Sequence, residues 1–129
     1  MTRTELDAHL DAVVQVVEDR DWVSVVEVKN LLAARGLATA GEYRYEVFPN
    51  AVIWDGMSEE FVRVMQALQE SKRVAVDTQS PLASVLVYSA DGVLLNLPIA
   101  KRAPKDMERG YAEPRWIPTF FRPRAVLGG

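Results

Sequence analysis

Trp22-Val23-Ser24-Val25-Val26-Glu27-Val28-Lys29-Asn30-Leu31-Leu32-Ala33-Ala34-Arg35-Gly36-Leu37 is the stretch on which the fold turns. Ser24 and Glu27 have the spacing of a capping box, in which a hydroxyl and a carboxylate satisfy the free N–H groups of a helix start. Val25, Val28, Leu31 and Leu32 fall on one face at helical period. Gly36 stands where a helix-ending residue takes a left-handed conformation. The stretch predicts a helix over Val25 to Arg35, entered from a short extended piece at Trp22-Val23.

Two further helices flank this one. Upstream, Thr2 and Glu5 repeat the capping-box spacing, and Leu6, Leu10, Val13, Val14 and Val17 make an apolar stripe that ends at Glu18-Asp19-Arg20-Asp21. Downstream, Ser58 is a natural N-cap, followed by Glu59 and Glu60 at the positive end of the helix dipole. Phe61, Val64, Met65 and Leu68 form the core face, and Lys72 and Arg73 sit at the negative end. Between the second and third helices, Thr39-x-x-Glu42 could cap a short helix. The alternation of Tyr43, Tyr45 and Val47 with Arg44 and Glu46 favours extended structure instead, with a turn at Phe48-Pro49-Asn50-Ala51 before Val52-Ile53-Trp54.

Beyond the third helix, Val74 to Asp77 reads as a short strand. Val85 to Tyr88 and Val93 to Leu97 flank Ser89-Ala90-Asp91-Gly92, and Asp-Gly between two apolar runs predicts a β-hairpin. From residue 103 the composition changes. Pro104, Pro114, Pro118 and Pro123 make a helix or a central strand unfavourable, yet Tyr111, Trp116, Ile117, Phe120 and Phe121 are too apolar for a disordered tail. The reading is therefore an α+β domain over residues 1–102 and a basic, aromatic, proline-rich C-terminal extension over 103–129.

The order of elements over 22–100 resembles a winged-helix domain. The segment Trp22 to Leu37 resembles the first strand and second helix of that family, and Ser58 to Leu68 running into Arg73-Val74-Ala75-Val76 resembles a recognition helix entering the wing. The resemblance implies a three-helix core, a C-terminal β-hairpin wing and DNA binding. The chain is also similar to small proteins of actinobacterial phages. It departs from the family in the roughly twenty residues between the second and third helices, against the short turn usual there. Its third helix also opens with Glu59 and Glu60, which would face phosphates.

Composition narrows the function classes. With no cysteine, thiolate zinc sites, thiol catalysis and disulfides are excluded. The single histidine, His9, shares its helix with Glu5, Asp7 and Asp11 but forms no ligand set or triad with them, so it is expected as a solvated side chain. No glycine-rich phosphate cradle is present. No enzymatic activity, metal or cofactor is expected, nor a secretory signal or membrane span, which places the chain in the cytoplasm (that of the bacterial host if it is phage-encoded).

The net charge of −3 hides a split. Residues 1–100 carry 8 Lys/Arg against 15 Asp/Glu, and residues 101–129 carry 7 against 3. The body repels phosphate and the tail attracts it. On the DNA reading, Arg63, Gln66 and Gln69 face the groove of double-stranded DNA, while Lys72, Arg73, Lys101, Arg102 and Lys105 hold phosphates. The alternative is a protein-interaction module that docks on a protein partner or a second copy. Its contacts would be the aromatic-arginine tail residues Arg115, Trp116, Phe120, Phe121, Arg122 and Arg124, together with the acidic body. The blandest reading straps the tail onto its own domain, with arginines pairing Asp and Glu. Trp22 and Trp54 are expected as core anchors.

Overall fold

A computed structural model describes residues 1–77, 95, 97–100 and 108–124. All three helices start on the expected caps. In α1 (Arg3–Arg20) the Thr2 hydroxyl accepts from the Glu5 N–H at 3.1 Å. In α2 (Val25–Ala34) Ser24 accepts from Glu27 at 3.1 Å. In α3 (Glu59–Ser71) Ser58 accepts from Phe61 at 3.0 Å and also donates to the Ala38 carbonyl. Gly36 ends α2 with φ +91°, and Leu37 N–H reaches back to the Leu32 carbonyl at 3.0 Å, the closing bond of a Schellman motif.

The ambiguous middle stretch is a hairpin. Strands β2 (Ala40–Phe48) and β3 (Ala51–Met57) pair antiparallel about Pro49 and Asn50, with register shifts along their length. Asn50 takes the left-handed conformation the tight turn needs, at φ +62°.

The remaining strands are β1 (Val23–Ser24), β4 (Val74–Asp77), β5 (Arg115–Trp116) and β6 (Phe120–Pro123). They complete two three-stranded sheets, ordered β1-β6-β4 and β2-β3-β5. In the first, β6 is antiparallel to both neighbours: Phe121 pairs with Val23 on one side and Val76 on the other. In the second, β5 runs parallel to β3, and Ile99 bridges Trp116 on its far side.

The position of β6 corrects the expectation that the proline-rich segment could not supply a central strand. Pro118 lies before β6 and Pro123 is its last residue, so the prolines bracket the strand and leave the N–H groups of Phe120, Phe121 and Arg122 available. Trp116, Phe120 and Phe121 join Val13, Val14 and Val17 of α1, the α2 and α3 stripes, and Trp54 in one apolar core. Residues expected in an appended extension are thus core residues. The predicted hairpin around Asp91-Gly92 lies outside the described residues, apart from Leu95 and Leu97, which pack partly buried against the core.

Candidate interaction surface

The outward side of α3 carries Glu59, Arg63, Gln66 and Glu70, exposed and spaced three or four residues apart, so one face mixes two carboxylates with one guanidinium. Arg63 and Gln66 make no hydrogen bond or ion pair among the described residues. Gln69 is committed: its carboxamide oxygen accepts from the Tyr45 hydroxyl on the neighbouring hairpin. Burial pushes the Tyr45 phenol above its ordinary range, and the nearby Glu70 carboxylate adds to the shift. Arg73 is committed as well, donating to Asp11 of α1 at 2.6 Å. Lys72, in the left-handed helix-ending conformation, remains exposed. Of the expected DNA contacts on this helix, only Arg63, Gln66 and Lys72 face solvent uncommitted. Lys101, Arg102 and Lys105 lie outside the described residues.

The tail residues assigned to a partner surface go mostly inward. Trp116 is 1% exposed and meets Trp54 edge to face, with ring centroids 6.3 Å apart. Phe120 and Phe121 are buried on either side of the β6 backbone. Expected as docking residues, these three are instead buried in the core of this chain: Phe120 and Phe121 lie on β6 in the first sheet, and Trp116 lies on β5 in the second. Arg115 lies over the Tyr111 ring, and Arg124 is exposed. The Gly110–Arg115 segment is tied to the hairpin turn. Tyr111 N–H donates to the Pro49 carbonyl at 3.0 Å, Asn50 Nδ2 donates to the Tyr111 carbonyl at 2.8 Å, and Arg115 N–H donates to the Asn50 carbonyl at 2.8 Å.

Arg122 builds a corner with several contacts on one guanidinium. Its Nε and Nη2 both donate to Asp21, each at 2.9 Å, a bidentate pairing that suits the planar guanidinium. Asp77 of β4 lies 4.0 Å from the same group. These bonds hold the Asp21 carboxyl below its ordinary pKa and raise that of Arg122; partial burial opposes both shifts, more weakly. The guanidinium also stacks 3.9 Å over the Trp22 ring, while Phe120 meets that ring edge-on at 5.8 Å.

Trp22 itself is 50% exposed, which corrects the expectation of a core anchor. The reason is the backbone: Asp21 and Trp22 have φ of +55° and +49° in succession, turning the indole out of the α1–β1 corner. Left-handed conformations of this kind cost about 1–3 kcal/mol each outside glycine and persist only where surroundings enforce them. Here the Asp21 carboxylate supplies the enforcement, accepting the Trp22 N–H at 2.8 Å as well as both Arg122 donors. The strapped-tail reading anticipated an arginine–carboxylate pair between tail and body, but not which two residues form it, since Arg122 and Asp21 are 101 residues apart. The only local signal was the polar run Glu18–Asp21 stopping the first helix immediately before an aromatic.

Among the described residues, the other large apolar side chains in the open are Tyr43 and Val47 on β2 and Val76 on β4. His9 accepts from Arg35 Nε at 3.1 Å. Among the described residues, no group of three or more His, Asp or Glu side chains could hold a metal, and no helix is long and apolar enough to cross a membrane. No protein-family model, curated protein or solved structure matches the chain.

Proposed function

We propose that this chain is a non-enzymatic protein-interaction module on a winged-helix-like scaffold, with Trp22 as its central anchor. The observation that carries the reading is a half-exposed indole that is nonetheless locked, stacked by Arg122, edged by Phe120 and set by two strained residues. Tryptophan dominates binding hot spots, and an anchor already held in place loses little conformational freedom on docking. The surface around α3 suits a protein better than a nucleic acid, since Gln69 and Arg73 are engaged within the chain and Glu59 and Glu70 share the exposed face. Affinity capture from the native lysate, with nuclease added, tests it. Wild-type chain retains a protein partner under those conditions, and Trp22→Ala, folded by circular dichroism, weakens capture by roughly 30-fold or more, the size of a hot-spot loss. Equal retention by both chains overturns the assignment of Trp22.

Double-stranded DNA binding is the second reading, favoured by one feature of the topology. The strand after α1 lies in one sheet with the strand that α3 leads into, in the order β1-β6-β4, which supports the winged-helix likeness. Arg63, Gln66 and Lys72 would then supply the α3 contacts. Fluorescence anisotropy with duplex DNA decides it. Binding whose log affinity falls by about 0.9 per neutralised phosphate as log salt rises supports DNA, and flat anisotropy at low salt removes it.

A further inference from the structure

We draw no further inference here: the strongest candidate, the shallow apolar groove between the β2–β3 hairpin, α3 and the β4–β6 pair, lined by Tyr45, Val47, Ile53, Met65, Val76 and Phe121, carries nothing because the structure does not show what covers it.

Discussion

Replacing Phe121 with alanine tests whether the C-terminal segment belongs to the core. Phe121 is 3% exposed and sits at the middle of the first sheet, opposite Val23 and Val76. Truncating a buried phenylalanine costs about 3–5 kcal/mol through lost burial and the cavity left behind. Set against a typical total stability of about 5–15 kcal/mol, this is a large fraction. For a chain of this length 1 kcal/mol corresponds to roughly 4 °C in Tm, so Phe121→Ala should melt about 12–20 °C lower. Thermal circular dichroism at 222 nm reads the shift. Urea titration then checks that the midpoint moves while the slope, which reports the surface exposed on unfolding, stays the same. Tyr43→Ala, at an exposed position, is the control and should change stability by no more than about 0.5 kcal/mol. A Phe121→Ala protein as stable as that control would refute the placement of β6 between β1 and β4, and with it the corner that presents Trp22.

Gly110→Ala should be markedly destabilising, because φ is +66° and the new Cβ would fall 1.9 Å from the Pro49 carbonyl oxygen, forcing the strap off the hairpin turn. Gly36→Ala meets the φ penalty alone, with nothing within 4 Å, so its cost should stay near 1–2 kcal/mol and below that of Gly110→Ala in the same urea titration. Ser58→Ala removes both the cap on Phe61 and the donor to Ala38, for an expected loss of about 1–2 kcal/mol, more than Thr2→Ala at the exposed end of α1. The pH dependence follows from Asp21 and Asp55, which Arg122 and Arg44 hold below their ordinary pKa in the folded chain. A depressed folded pKa gives stability that is fully present above the unfolded value and lost as pH falls through the folded one. Wild type should therefore lose stability between about pH 5 and pH 2 more steeply than the Asp21→Asn, Asp55→Asn double variant, in denaturant midpoints taken across that range. Parallel pH profiles would remove these two pairs as its cause.

The polar side chains on and just after α3 show how far residue type alone can mislead about a surface. Gln69 and Arg73 have the chemistry of a DNA-reading helix, but a hairpin tyrosine and an α1 aspartate take up their hydrogen-bonding groups. Arg63 and Gln66 differ from them only in what the fold places alongside. Likewise the aromatic-arginine tail carries the composition of a contact surface. Phe120 and Phe121 are buried because β6 fills the space between β1 and β4, and Trp116 because β5 pairs with β3.

Elements specified by neighbours within a few positions were legible in the residues alone. A serine or threonine hydroxyl caps an N–H three residues on, Gly36 ends a helix, and Asn50 turns a hairpin, all through short-range geometry. The apolar stripes of the helices were equally legible, since their period reports which face is buried. Strand partners are different: an extended segment presents the same backbone donors and acceptors to any neighbour, so nothing local tells Phe120–Pro123 to lie between Val23–Ser24 and Val74–Asp77. That choice comes from packing across the whole chain, and it decides which arginine meets Asp21 and why an indole expected inside stands in solvent.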